Sequence, residues 1–358
     1  MRTSISTLVL GLLPLALGSK GGTFRPESGG LLLNDLDTLP IAYDLLESQT
    51  KTGVPIGSSF WSSSFIHGSD NHDYLILSHV LAGQPITPSL YRGSVLDITD
   101  PSRYGRFEIF SNVSEVYSDI GDFNASYPDY GFGSIGSEEA PALRTWSSIA
   151  GAEFELTFEL SSPALLNGGL GSFRGAGNST ANEWGSPAGK TQGWLSIDGS
   201  KVTVDKERSL TWYDRQWGGA PASWTWFELH IESGIPGTPA LPFSIWVWQD
   251  TPDGSGGLAT TREAGGVHSV VPVKSLETSG RTFTSPTTDI VYDLDWTLKL
   301  ADGTEFRVSS VREDQELYAE GGLFPTYEGF VTVTGAHKDG RKIKGYGLVE
   351  IEPPKPRD

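Results

Sequence analysis

Ala152–Leu160 reads AEFELTFEL, with Phe154, Leu156, Phe158 and Leu160 on one side and Glu153, Glu155, Thr157 and Glu159 on the other. A period of two is the mark of a β-strand with one buried face. Tyr292–Leu300 (YDLDWTLKL) alternates in the same way, and segments 225–231, 243–249, 330–334 and 346–351 also read as strands. Between such runs lie Asp198-Gly199, Asp302-Gly303 and Asp339-Gly340. Asp-Gly suits the positive backbone dihedrals of a tight hairpin turn. With 44 glycines and no long amphipathic pattern, the chain is all-β, built as sandwiches or barrels. Its 358 residues suggest two cores. Segment 161–190, rich in Gly, Asn and Ser, reads as a long loop, and the domain boundary is placed just beyond it, near Lys206.

The first residues read as a leader rather than as part of the fold. Arg2, then the apolar run Leu8–Leu17 (LVLGLLPLAL), then Ala16-Leu17-Gly18 form a signal-peptide pattern over 1–18. The run is about half the ~20 residues of a membrane span. Three sequons, at Asn112, Asn124 and Asn178, then predict N-glycans on exposed loops of a secreted protein. The chain has no cysteine, which excludes disulfides, a thiol nucleophile and thiolate metal sites. A net charge of −18 disfavours nucleic acid and anionic membrane as partners.

No phosphate-binding or dinucleotide fingerprint occurs, no cofactor is expected, and no metal site is expected. His67 and His72 with Asp70 and Asp73 (HGSDNHD) resemble a ligand set, but the simpler reading is a polar turn between strands. The dense region is Leu210–Ile231, LTWYDRQWGGAPASWTWFELHI. Asp214 and Arg215 sit among Trp212, Tyr213 and Trp217; charges there need partners, so an Asp–Arg clamp or a polar anchor at a cavity mouth is expected. Next, alternation puts Trp226, Glu228 and His230 on one face, opposite Phe227, Leu229 and Ile231. Trp246 and Trp248 repeat the pattern. Such a face either lines an aromatic hollow, the reading preferred here, or packs under the other domain. Desolvation of Glu228 would raise its pKa and make it a proton donor.

At these residues the chain resembles a known superfamily. Asp214, Arg215, Trp217 and Gly218 match its Asp-Arg-x-Trp-Gly motif, and Trp224, Trp226 and Phe227 its Trp-x-Trp-Phe. Gly345–Glu352 (GYGLVEIE) looks like its closing strand, and Phe60–Leu81 sits where its first aromatic-rich hairpin falls. This is the AttH and hydroxyneurosporene synthase-like (carotenoid 1,2-hydratase) superfamily, with its fungal branch of kievitone hydratase and the hetero-Diels–Alderases of tropolone–sesquiterpenoid pathways. The resemblance implies two lipocalin-like β-barrel or sandwich domains packed together, over 19–206 and 207–358, with a pocket in or between them.

The fold hosts more than one reaction. Alkene hydration needs an acid, a stabilised cation and a positioned water; a cycloaddition needs two π systems held in register. An aromatic-rich pocket without an obvious dyad favours a cofactor-independent pericyclase joining a reactive diene, such as a quinone methide, to a terpene-like alkene. The alternatives are a hydratase acting on a prenylated phenolic and a non-catalytic carrier. The candidate catalytic residues are Glu228, Trp226, His230, Asp214, Tyr213 and His67. Trp61, Trp217, Trp246, Trp248 and Tyr327 are expected to contact an apolar, aromatic small molecule.

Overall fold

A computed structural model describes residues 24–29, 41–49, 58–82, 89–111, 116–117, 124–135, 141–174, 179–219, 223–235, 237–251, 254–262 and 268–354. The expected leader, Asn112 and Asn178 lie outside these residues; Asn124 is described and exposed.

The chain is nearly all-β, as alternation predicts. Its first half forms a curled sheet of 14 described strands, in which Tyr104–Ser111, Ser89–Asp97, Asp73–Ala82, Ser58–His67, Leu210–Gly218 and Thr180–Ile197 follow one another side by side. The second half is a barrel. Glu305–Ser310, Asp295–Leu300, His268–Thr278, Gly254–Arg262, Leu241–Thr251, Trp224–Ile231, Lys342–Glu352 and Leu323–Ala336 neighbour one another in that order. Pairing of Leu323–Ala336 back onto Glu305–Ser310 closes the ring and removes its free edges.

The Asp-Gly pairs are hairpin turns: Asp198 and Gly199 have φ of 51° and 73°, and Gly303 and Gly340 have 98° and 83°. Phe154–Glu159 buries its Phe/Leu face. The run Tyr292–Leu300 is interrupted, giving Val291–Asp293 and Asp295–Leu300 around a buried Leu294.

Two expectations change. Segment 161–190 is not one long loop, because Thr180–Ile197 is a strand in the middle of the first sheet. Its Gly and Ser residues allow close backbone approach. At Gly189 an added Cβ would stand 2.2 Å from the Glu159 carbonyl oxygen and 3.4 Å from that of Thr211. The ladder shifts register between Ser186 and Gly189, around Pro187, which has no N–H to donate. Gly189→Val should therefore cost about 2–3 kcal/mol of unfolding free energy, as overpacking against backbone does; an unchanged denaturant midpoint would refute this. The second change concerns the boundary. Leu210–Gly218 pairs with Ser58–His67 and Thr180–Ile197, so the chain leaves the first sheet after Gly218 rather than at Lys206.

The barrel interior is filled by the alternate residues Phe227, Leu229, Ile245, Trp296, Phe306, Val331 and Val349. The Trp226 face points the other way, outside the barrel, and packs against the first sheet. A shared core there joins Trp61, Phe65 and Trp212 of the sheet to Trp226, Trp246, Phe330 and Tyr346 of the barrel. The aromatic face is thus the seam between the two halves, not the wall of a hollow barrel.

Candidate functional site

Strand alternation brings carboxyl groups from several strands onto this seam. From the barrel side come Glu228 and His230, two residues apart on one strand and 0% and 1% exposed. Ser63 Oγ, from the first sheet, donates to Glu228 Oε2 at 2.6 Å, while His230 Nε2 lies 3.1 Å from Glu228 Oε1. Burial pushes the Glu228 carboxyl well above the usual carboxylate range, against the pull of the Ser63 hydrogen bond. Burial also pushes His230 down to about 3. Burial thus favours the uncharged form of both groups, in which the carboxyl donates and the imidazole Nε2 accepts. Rings enclose the pair: Tyr346 stacks on His230 at 5.0 Å, and Trp212 and Phe65 meet it edge-on at 5.5 and 5.1 Å.

Beside it, Asp214 Oδ1 accepts the Trp212 indole N–H at 2.8 Å. Glu183 Oε1 accepts that of Trp246 at 3.4 Å, and its Oε2 has no protein partner. Burial, and next the other's charge for Glu183 and the Trp212 bond for Asp214, act on these two acids; burial wins and both stay well above their ordinary range. Trp226 Nε1 donates to Ser244 Oγ at 2.9 Å, and its ring meets Trp61 at 5.1 Å.

A second polar centre lies further along the seam. Arg92, 5% exposed, places Nε 2.9 Å from Glu328 Oε1 and 3.1 Å from His79 Nδ1. His79 Nε2 meets Ser59 Oγ at 2.8 Å, and Trp61 Nε1 donates to Glu328 Oε2 at 2.9 Å. Trp224 donates to Glu350 at 2.8 Å. Glu108 stands 3.9 Å from the Arg92 Nη1. Burial raises Glu108 to about 7 and Glu328 to about 8, with Arg92 opposing in each case.

The expected site residues separate accordingly. Glu228, Trp226, His230, Asp214, Trp61 and Trp246 meet in the seam, and Trp248 borders it. Tyr213 and Trp217 belong to the first sheet's other face, with Tyr213 donating to Gln49. Adjacent strand residues point to opposite faces, so Asp214 and Arg215 form no clamp with each other. Arg215 instead donates to the Ser48, Ser59 and Gln216 carbonyls and lies over Phe60 and Trp217. Tyr327 faces the barrel interior, bonded to Ser310 and the Arg312 carbonyl. His67 sits at a strand end, bonded to Asp73 and Arg208. HGSDNHD is the turn there, with Asn71 at a φ of 69°.

Sequence reasoning misses Glu183, Glu328, Glu350, Glu108, Arg92, His79 and Ser63. Alternation through Tyr346, Leu348 and Glu350 offers one signal, and through Glu328 and Phe330 another. An outer groove of about 490 Å³, lined by Glu155, Gln192, Trp194 and Lys206 among others, contains none of the buried acids.

Known proteins share this architecture. A sequence model of the AttH-like family matches residues 118–352. Kievitone hydratase of Fusarium solani subsp. phaseoli is 32% identical over 358 residues, covering 97% of each chain. Dehydratase asqC of Emericella nidulans is 31% identical over 337 residues, covering 92% of this chain and 93% of that one. The crystal structure of kievitone hydratase from Nectria haematococca superposes with a TM-score of 0.81 at 33% identity, covering 92% of this chain and 98% of that one. An AttH protein of Nitrosomonas europaea shares the fold at a TM-score of 0.67 and 18% identity, over 88% of this chain and 98% of that one. The two fungal relatives are named for adding or removing water, not for cycloaddition. On the extent of these matches, the chain belongs to the AttH-like family, on its fungal branch.

Proposed function

We propose that this protein is a hydro-lyase that adds water to, or removes it from, an apolar substrate at the Glu228–His230 pair. The observation that carries the reading is a fully buried carboxyl group, enclosed by aromatic rings, whose burial holds it well above the usual carboxylate range. A carboxylic acid that keeps its proton at neutral pH can protonate an alkene carbon. The cation so formed faces the indole rings of Trp226 and Trp212, whose π clouds stabilise positive charge. Water then attacks the cation. Its excess proton passes through His230 Nε2 back to the Glu228 carboxylate, which balances the cycle. Run backwards, the Glu228 proton passes through His230 to the departing hydroxyl, water leaves, and the Glu228 carboxylate takes the proton from the neighbouring carbon.

The relatives suggest the substrate class, a phenolic bearing a prenyl double bond such as kievitone. The test is turnover of kievitone in heavy-oxygen water, with one labelled oxygen per product expected. Tight binding without turnover of kievitone or its hydrate would make the protein a carrier and overturn the reading.

The density of rings supports a second reading. Acid-assisted loss of water from an ortho-hydroxybenzyl alcohol, its benzylic hydroxyl leaving with the phenolic proton, creates a quinone methide, and the seam's rings would hold an alkene against it for a hetero-Diels–Alder closure. A cycloadduct with the rate and stereochemistry of the enzyme-free reaction would eliminate that reading. We also propose secretion with glycans on the three sequons. Deglycosylation should lower the mass of the secreted protein, and no shift would refute it.

A further inference from the structure

We infer that Arg92 and Glu108 form a hydroxyl-binding subsite that holds the polar end of the ligand. The inference relies on the proposed function only in placing the reacting carbon at Glu228.

Three observations support it. First, the centre is a buried cation among carboxyl groups: Glu328 and Glu108 flank Arg92, and Glu350 lies near enough to favour its charge. Such a group is expensive to bury without full hydrogen bonding. Second, the bonding is incomplete. Arg92 Nε donates to His79 Nδ1; Glu328 Oε1 lies 2.9 Å from the same nitrogen as an ion pair without a formed hydrogen bond, and Nη1 is 3.9 Å from Glu108 Oε2, too far for a direct bond. Both Glu108 oxygens are buried without a well-formed hydrogen bond, the Ala319 amide only approaching the carboxyl group. An oxygen placed roughly 2.8 Å from each atom closes the gap between Arg92 and Glu108, accepting from the guanidinium and donating to the carboxyl group. A hydroxyl group does both; an ether oxygen can only accept.

Third, the placement suits one ligand spanning both centres. Ser59 holds His79 beside Arg92, and Ser63 holds Glu228, on the same strand. Four residues of strand separate them by roughly 13 Å. Between them the Trp61 ring, bonded to Glu328, meets Trp226. A hydroxyl-bearing ring system with an apolar arm ending in a double bond matches this order of polar, aromatic and acidic groups.

The test uses two unreactive probes, a resorcinol with a saturated apolar side chain and its dimethyl ether, titrated calorimetrically into the full chain. The hydroxylated probe should bind wild type at least tenfold more tightly. Glu108→Leu should bring that ratio close to one while leaving the ether's Kd unchanged. A wild-type ratio near one overturns the inference whether or not the variant folds. So does a ratio that survives in folded Glu108→Leu, since the hydroxyl group then binds elsewhere or competes only with water. Neither probe reacts, so a protein that turns over nothing can still pass or fail this test.

Discussion

Glu228→Gln should lower kcat by about 10²- to 10⁴-fold, the range expected for loss of a general acid, while KM changes little. The amide matches the acid in shape. Its carbonyl oxygen still accepts from Ser63, and its NH₂ still donates to His230 Nε2, so the packing of Tyr346, Trp212 and Phe65 around His230 has no reason to move. Only the transferable proton is lost. A variant with wild-type thermal stability and wild-type turnover in heavy-oxygen water would remove Glu228 from the acid role and direct attention to Asp214, whose carboxyl group is also buried and held well above its usual range. A cycloaddition that needs no proton would be slowed far less, so the same variant separates the two reaction classes.

The second large effect is on stability. Glu108, Glu183, Asp214, Glu228, Glu328 and Glu350 all have pKa values raised in the fold, with burial the leading cause. The folded state therefore binds protons that the unfolded chain has already released. This contribution is complete below the ordinary carboxylate values of 3.8 and 4.5 and is lost as pH rises through the folded values, about 7 for Glu108 and about 8 for Glu328. His230 and His79 act in the opposite sense, since both are depressed by burial from 6.5, and their effect is finished above that pH. Between about pH 6.5 and 8 only the carboxyl groups remain, and unfolding free energy should fall by as much as ~1.4 kcal/mol per pH unit for each group still protonated in the fold. Denaturant titrations across this window give the slope directly. A flat or rising curve would mean that the seam's acids are ionised already. Glu108→Gln should make the decline shallower by at most one proton.

Much of this arrangement is legible in the residues. Strict alternation in segments 152–160 and 225–231 is a local property of strands, and it is enough to put Trp226, Glu228 and His230 on one face. Which side of the sheet that face occupies is not local. It depends on the closure of Leu323–Ala336 onto Glu305–Ser310, which turns Phe227, Leu229 and Ile231 inward. Asp214 and Arg215 mislead through adjacency, because neighbours on a strand cannot share a face. Thr180–Lys190 misleads through composition: Gly and Ser signal a loop, but here they admit a backbone between bulky neighbours. The Arg92 centre is invisible in the sequence because Arg92, Glu108, Glu328 and Glu350 come from four strands, the first two far along the chain from the last two.

The closed barrel keeps its own apolar filling, separate from the acids that decorate its outer surface. Those acids lie outside that filling, on the face the barrel turns to the sheet. The chemistry proposed above falls on a joint, each half supplying one face: Ser63, Trp61 and Arg92 from the sheet, Glu228, His230 and Glu328 from the barrel. A lineage in search of new ligands can rewrite one face while the other stays fixed, much as one jaw of a vice is swapped while the frame remains.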